Sequence, residues 1–191
     1  MFAPAHHSAM RYAGPVRQEL SIRTMMNILG PMTNPAQAKR QVIGVFAREW
    51  QEKIARVLQI LGSVHALVVH SEGLDEIRLD APTHVVELKD DTITDYTISP
   101  RDFGIAEATP EELQKLSADS VSRSLELVKE GLSQPDSLAA NIVALNAGAA
   151  IYASGVTDDL KSGVSAAQTI IAEKSGLAKL KELALLSSKE T

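Results

Sequence analysis

Cysteine is absent from the 191 residues, and the chain has only one tryptophan, three tyrosines and three phenylalanines. Without cysteine there can be no disulfide framework and no thiolate metal site, and we expect a cytoplasmic protein. Basic residues are also fewer than acidic ones: the chain has 19 lysines and arginines and 24 aspartates and glutamates, which gives a net charge of −5 at pH 7. No basic stripe offsets this charge, so we expect no nucleic-acid partner.

The sequence contains neither a recognisable targeting segment nor a convincing membrane span. Residues 1–7 lack both the basic start and the apolar run that a secretion signal would have. Residues 138–156 carry no charge and would be long enough to cross a bilayer. However, they include Asn141 and Asn146 and are mostly alanine and glycine. We therefore predict a buried core helix there and no membrane association.

The length and the 45% hydrophobic content fit a single α/β domain over residues 1–191. Residues 1–35 are irregular, with short helical turns between prolines and glycines. Residues 41–46 and 66–70 are predicted strands that flank a helix at 49–61, which implies a parallel pair with a right-handed crossover. In that helix we expect one buried face, formed by Ile54, Val57, Leu58 and Leu61.

The second half of the chain changes from strands to helices. Residues 83–89 and 92–98 are predicted to form a hairpin around Asp90 and Asp91. Beyond Pro110 the apolar spacing is helical to the end. We predict helices at about 110–116, 120–132, 137–154, 157–174 and 176–186.

Two adjacent carboxylates, Asp75 and Glu76, follow the predicted strand 66–70. A loop after such a strand is where open α/β sheets usually bind ligands. Magnesium takes one or two carboxylates and fills its other positions with phosphate oxygens and water. The sequence therefore suggests a Mg²⁺ site at Asp75 and Glu76.

An irregular segment near the N-terminus forms a second patch. His7 and Arg17 lie in it, and Gly30 and Pro31 mark a bend a few residues later. Arginine suits two-pronged capture of a carboxylate, and a glycine lets the backbone approach a flat ligand. The alternative is that the arginine is a solvated surface charge and the histidine an ordinary loop residue.

Taken together, these motifs resemble the anthranilate phosphoribosyltransferases of tryptophan biosynthesis. The block at residues 27–35, Asn-Ile-Leu-Gly-Pro-Met-Thr-Asn-Pro, is highly specific, whereas the Asp-Glu pair alone is weak. Further matches occur at residues 2–10, 16–17, 23–24, 43–45, 67–70, 73–76, 102–104 and 145–147, so the resemblance covers essentially the whole chain. Pyrimidine nucleoside phosphorylases are the alternative relatives, but they are not expected to show the Gly-Pro block.

The resemblance implies a fold and a reaction. The fold is the large α/β domain of the nucleoside phosphorylase and phosphoribosyltransferase type, here incomplete, with a partly parallel sheet, flanking helices and a helical C-terminal half. The reaction is the transfer of phosphoribose from phosphoribosyl pyrophosphate to the amine of anthranilate, with release of pyrophosphate. It needs no protein nucleophile, and we assign no catalytic residue.

The resemblance also implies roles for six residues. Arg17 would hold the anthranilate carboxylate, and His7 would lie beside the ring. The pocket wall would be Gly30 and Pro31. Mg²⁺ on phosphoribosyl pyrophosphate would be bound by Asp75 and Glu76. We expect Arg17 and the acidic pair to lie on facing walls of one cleft.

Several family features are missing from this sequence. It contains no Gly-Thr-Gly-Gly-Asp loop for pyrophosphate, no Lys-His-Gly-Asn segment and no N-terminal helical domain, and residues 116–119 depart from the family's glycine pair. We therefore expect the chain to be inactive or impaired alone and to lack the family's homodimer contacts. The alternatives are a non-catalytic anthranilate-binding module or remnant, and a structural helical domain over residues 110–186.

Overall fold

A computed structural model of the chain describes Glu19, Leu29, Gly30, residues 32–34 and residues 36–187. The chain divides into two units, Met1–Ala38 and Lys39–Thr191, and each is described by itself. In the first unit, Leu29 and Gly30 are helical and exposed. The expectation of a single domain over residues 1–191 stays a prediction.

The second unit contains a four-stranded mixed sheet in the order β1-β2-β3-β4. The first two strands pair in parallel, and the other two pairs are antiparallel. Asp90 and Asp91 connect β3 to β4 with φ of 47° and 65°, the positive angles that tight hairpin turns require. The predicted parallel pair and hairpin are therefore confirmed. The strands are β1 (Arg40–Gly44), β2 (His65–His70), β3 (Thr83–Lys89) and β4 (Thr92–Ile98).

Helices flank this sheet and dominate the second half of the chain, as predicted. Short 3₁₀ turns at Arg48–Trp50 and Pro100–Phe103 precede the first two helices. Ser120, Ser137 and Asp159 begin three helices by accepting bonds from backbone N–H groups of the first turn, which satisfies donors that a helix start leaves free. The helices are α1 (Gln51–Ile60), α2 (Pro110–Gln114), α3 (Val121–Gly131), α4 (Leu138–Ser154), α5 (Leu160–Ala172) and α6 (Ser175–Ser187).

The interior strand β2 and helix α4 supply much of the core. All of β2 except His70 is buried, and α4 packs against both β1 and β2. Leu67 and Val69 share one apolar cluster with Leu145 and Ala149 of α4. The predicted buried helix is confirmed over Leu138–Ser154, whereas Val156 lies beyond its end and is exposed. No helix in the described residues has the length and apolar character needed to cross a bilayer.

Helix α1 packs against β2 and β3 through a different face from the one predicted. Ile54 and Leu58 are buried as expected. Val57 and Leu61 are 39% and 51% exposed, so the prediction was wrong for these two residues. Gln51 takes their place, because its Nε2 donates to the backbone oxygens of Val68 at 2.7 Å and His84 at 2.8 Å. A buried amide therefore joins the apolar side chains in this interface.

Helices α4 and α5 cross at a pair of glycines. A Cβ built on Gly148 would stand closer than 3.0 Å to backbone atoms of Val164. In the same way, a Cβ on Gly163 would collide with the carbonyl oxygen of Gly148. The two backbones can approach this closely only because neither residue has a side chain.

A buried carboxylate, Glu87 on β3, connects the sheet to α4. Its Oε1 accepts from Tyr152 Oη at 2.7 Å and lies 2.7 Å from His65 Nε2, while its Oε2 accepts from Tyr96 Oη at 2.8 Å. Glu87 is 7% exposed and His65 is 2% exposed. Burial first, and then Glu87, raise the pKa of both tyrosines. The hydroxyls therefore stay protonated and remain donors to the carboxylate.

Replacing Glu87 with glutamine should destabilise the fold, because the buried His65 and Tyr152 and the partly buried Tyr96 lose a charged partner. We expect Glu87→Gln to lower the free energy of unfolding by about 2–4 kcal/mol in urea denaturation. Glu52→Gln is the control, since Glu52 pairs with Arg56 on the surface with 61% of its side chain exposed; it should change stability by about 0.5 kcal/mol or less. Equal effects of the two substitutions would contradict a structural role for Glu87.

Candidate metal and substrate site

The acidic pair lies just beyond the carboxyl end of β2. Ser71 and Leu74 exchange backbone hydrogen bonds of 3.0 and 2.7 Å, and Gly73 has φ of 81°. This tight turn reverses the chain immediately after the strand. Because β1 and β2 are parallel, both strands end at this edge of the sheet. The turn therefore brings Asp75 back to the end of β1.

Asp75 rests directly on Gly44, the last residue of β1. A Cβ built on Gly44 would stand closer than 3.0 Å to the carbonyl oxygen, carbonyl carbon and Cβ of Asp75. Any other residue at position 44 would push the loop away. A glycine inside a strand often marks such a close backbone approach. Sequence analysis gave Gly44 no role, although its place in a predicted strand could have indicated this contact.

Both carboxylates of the pair face solvent. Asp75 and Glu76 are exposed. Within the described residues, neither carboxylate makes a hydrogen bond or an ion pair. Two unpaired hard oxygen ligands suit Mg²⁺, which usually draws its remaining ligands from phosphate and water. Among the described residues no group of three or more potential ligands forms a complete metal site. The pair therefore fits a metal that arrives with a phosphate-bearing substrate.

The segment after the pair is anchored in the core. Ile77 is 2% exposed and Leu79 is 0% exposed, so alternate side chains point inward. Arg78 Nε donates to Asp80 Oδ1 at 2.6 Å, and its Nη2 also donates to this carboxylate. The Arg78 hydrogen bond, outweighing the effect of burial, lowers the pKa of Asp80. The acidic loop thus ends in a fixed segment.

Half of the predicted site residues cannot be compared with the structure. His7, Arg17 and Pro31 lie outside the described residues. Gly30 is described, as an exposed residue in a helical conformation within the first unit. The facing walls expected for Arg17 and the acidic pair therefore stay a prediction.

A polar cavity of about 180 Å³ lies at the opposite edge of the sheet. Arg40 and His65, which begin the two parallel strands, line it, as do Lys89 and Tyr152. Lys89 Nζ donates to Tyr152 Oη at 3.2 Å, and Arg40 Nη1 donates to the backbone oxygen of Ala153 at 3.1 Å. These cations bind groups of the protein itself, and the acidic pair does not line this cavity.

Comparison with known proteins identifies the family. Residues 1–179 match the family described as "Glycosyl transferase family, a/b domain". The chain belongs to this glycosyl transferase family. The resemblance to anthranilate phosphoribosyltransferases is also confirmed, because its relatives include the enzymes of that name from Methylococcus capsulatus, 51% identical over 188 residues, and Marinomonas sp., 52% identical over 187 residues.

These relatives are longer than the chain. The matches cover 98% and 96% of this chain but 54% and 53% of the two relatives. The chain therefore spans about half the length of the curated relatives it matches.

Solved structures agree with the fold. Anthranilate phosphoribosyltransferase from Thermus thermophilus has a TM-score of 0.82 and 38% identity, with 92% of this chain and 51% of that chain covered. The enzyme from Saccharomyces cerevisiae in complex with PRPP and Mg has a TM-score of 0.78 and 22% identity, with 92% of this chain and 50% of that chain covered. The predicted α/β fold of the phosphoribosyltransferase type is confirmed.

Adding a methyl group at Gly44 should displace the acidic loop. We expect Gly44→Ala to lower the free energy of unfolding by about 1–3 kcal/mol, the range for an overpacked interior, and to weaken Mn²⁺ binding measured by the electron paramagnetic resonance of the free ion. Gly62→Ala is the control, because Gly62 has φ of +75° but meets only the end of the Lys39 side chain. It should lose stability without losing Mn²⁺ affinity. Unchanged Mn²⁺ affinity in Gly44→Ala would contradict the contact's role.

The ion pair beneath the loop should make stability depend on acid pH. Because the pKa of Asp80 is lower in the folded chain, its contribution is present above the unfolded pKa of about 3.9 and is lost as the pH falls through the folded value. We expect Asp80→Asn to reduce stability by about 1–3 kcal/mol at pH 7. The difference from the unmodified chain should shrink below about pH 4 in urea denaturation; a difference independent of pH would contradict this assignment.

Proposed function

We propose that this chain carries the metal-binding and part of the anthranilate-binding machinery of an anthranilate phosphoribosyltransferase. The reaction is the transfer of phosphoribose from phosphoribosyl pyrophosphate to the amine of anthranilate, within tryptophan biosynthesis. One observation carries the proposal: the family match includes the acidic pair, and the structure leaves both carboxylates exposed and unpaired within its described residues. Since the chain spans about half of its relatives, its activity alone is impaired in this proposal.

Asp75 and Glu76 hold Mg²⁺ in this proposal. Support comes from the loop geometry, and from the Saccharomyces cerevisiae enzyme, which is described in complex with PRPP and Mg. When bound, Mg²⁺ would neutralise charge on the departing pyrophosphate. The chain's contribution is to keep two carboxylates side by side on a loop whose backbone is fixed on Gly44.

Arg17 holds the anthranilate carboxylate, and His7, Gly30 and Pro31 form the neighbouring pocket in this proposal. The family match spans all four residues. A guanidinium can donate two parallel hydrogen bonds to a carboxylate, which fixes the orientation as well as the charge. The anthranilate amine would then point at the sugar in a defined direction.

Positioning supplies much of the rate enhancement in this scheme. An aromatic amine is an uncharged nucleophile that needs no base to become reactive. Holding two reactants in the correct geometry can be worth about 7–11 kcal/mol of the barrier. The reaction therefore needs no protein nucleophile.

Neutralising the acidic pair tests the proposal. We expect Asp75→Asn/Glu76→Gln to weaken Mn²⁺ binding, with and without phosphoribosyl pyrophosphate, by at least about tenfold, equivalent to about 1.4 kcal/mol. Stability in urea should change by about 0.5 kcal/mol or less, because both side chains are on the surface. Binding is measured from the electron paramagnetic resonance signal of the Mn²⁺ that remains free in solution.

Asp90→Asn/Asp91→Asn is a matched control, since these residues are also adjacent, exposed carboxylates. Asn tolerates their positive φ, and Asp91 lies at the other edge of the sheet, where its Oδ1 accepts from Gln59 at 2.9 Å. This variant should bind Mn²⁺ like the unmodified chain. Equal loss in both variants would show only general charge attraction and would contradict the proposed site.

A non-catalytic anthranilate-binding module is the second candidate, since all four proposed anthranilate-binding residues lie within the family match. Calorimetry with anthranilate distinguishes it. Binding of anthranilate that Arg17→Ala abolishes, without any effect of Mg²⁺ or phosphoribosyl pyrophosphate, would favour the module. Binding of anthranilate that depends on both would favour the transferase.

A further inference from the structure

We propose that Asn146 is a positioning residue for the acidic pair. Asn146 lies within α4, and its side chain is bonded to the loop that carries Asp75 and Glu76, 69 residues earlier in the chain. The inference rests on the proposed function, because it assigns Asn146 to the metal site described there. Neither sequence motif nor family match gives this side chain a role.

The carboxamide of Asn146 pairs with both polar backbone groups of Ile77. Its Oδ1 accepts from the Ile77 N–H at 3.0 Å, and its Nδ2 donates to the Ile77 carbonyl oxygen at 3.0 Å. Nδ2 also donates to the backbone oxygen of Ile142 one helical turn earlier, at 3.0 Å. Both N–H groups of Nδ2 and one of the two lone pairs of Oδ1 are therefore hydrogen-bonded. These three bonds fix the orientation of the Asn146 side chain.

The bonded peptide directly adjoins the acidic pair. The Ile77 N–H belongs to the peptide bond that follows Glu76, so Asn146 fixes the backbone on the far side of the pair. Gly44 contacts Asp75 on the near side. The two carboxylates thus project from a short backbone segment that is held at both ends, by β1 and by α4.

Restraint at both ends matters because the carboxylates have no other support within the described residues. Asp75 and Glu76 are exposed and, in that part of the chain, lack hydrogen-bond partners of their own. Two carboxylates bind one cation well only when their separation is set beforehand, which is why groups that orient metal ligands affect affinity strongly. Asn146 is placed to set that separation through the backbone.

Asn141 provides a matched control on the same helix. It is also a half-buried asparagine of α4, and within the described residues its side chain makes no hydrogen bond. Gln51 provides a second control, because it too is an amide that bonds to backbone oxygens, but those of Val68 and His84. Asn141→Ala is the same substitution as Asn146→Ala, on the same helix. Gln51→Leu removes amide–backbone hydrogen bonds, as Asn146→Leu does, but at a different place.

The experiment compares these variants with Asn146→Ala and Asn146→Leu at a temperature where all are folded by circular dichroism. Amide hydrogen exchange, measured by NMR, reports the restraint without requiring metal. Mn²⁺ titration by paramagnetic resonance reports its consequence. We expect both Asn146 variants to lose protection at the Ile77 amide and to bind Mn²⁺ about tenfold or more weakly, the range for groups that orient metal ligands. Both controls should keep the affinity.

Two other outcomes would overturn the inference alone, and a third would overturn the proposed metal site with it. Lost protection with unchanged Mn²⁺ affinity would overturn the inference and leave Asn146 a structural residue. The same affinity loss in Gln51→Leu or Asn141→Ala would also overturn it, since general destabilisation would then explain the effect. If the unmodified chain bound Mn²⁺ no better than Asp75→Asn/Glu76→Gln, the proposed metal site would fail, and the inference would fail with it, whatever the exchange data showed.

Discussion

The burial of strand β2 on both faces is the constraint on which the rest of this structure depends. Its neighbours β1 and β3 satisfy its backbone, while α4 covers the side that bears Leu67 and Val69 and α1 packs against the same strand. A strand enclosed in this way cannot shift its register without exposing apolar side chains. The point where it ends is therefore fixed, and so is the start of the acidic loop.

Polar groups in this fold are placed where that enclosed strand ends. At the carboxyl edge, the carboxylates of the exposed acidic pair make no hydrogen bond or ion pair within the described residues. Near the opposite end of β2, Glu87 accepts from two tyrosines beside His65, the first residue of that strand. The first arrangement leaves charge available to a ligand, whereas the second uses charge to join the sheet to α4. Carboxylates are thus left exposed after one end of the strand and join the sheet to a helix near the other.

Sequence reasoning found the features that depend on local spacing. Both strands of the hairpin, the parallel pair and the C-terminal helices follow from apolar periodicity and turn residues, which are local signals. The buried face of α1 was partly missed, because a glutamine that finds backbone acceptors can replace an apolar residue. The contacts of Gly44 and Asn146 involve partners 31 and 69 residues away. No local pattern reveals such contacts, although the position of Asp75 and Glu76 directly after a predicted strand did single out the acidic pair itself.

The glycine crossing of α4 and α5 has a consequence for engineering. Replacing a glycine with alanine inside a helix is a common way to stabilise a protein, because alanine restricts the unfolded chain and favours helix. At Gly148 and Gly163 that rule is reversed, since a methyl group on either would separate the helices. Because α4 also carries Asn146, a thermostabilising programme that ignored this crossing would also shift the helix that is hydrogen-bonded to the segment after Asp75 and Glu76.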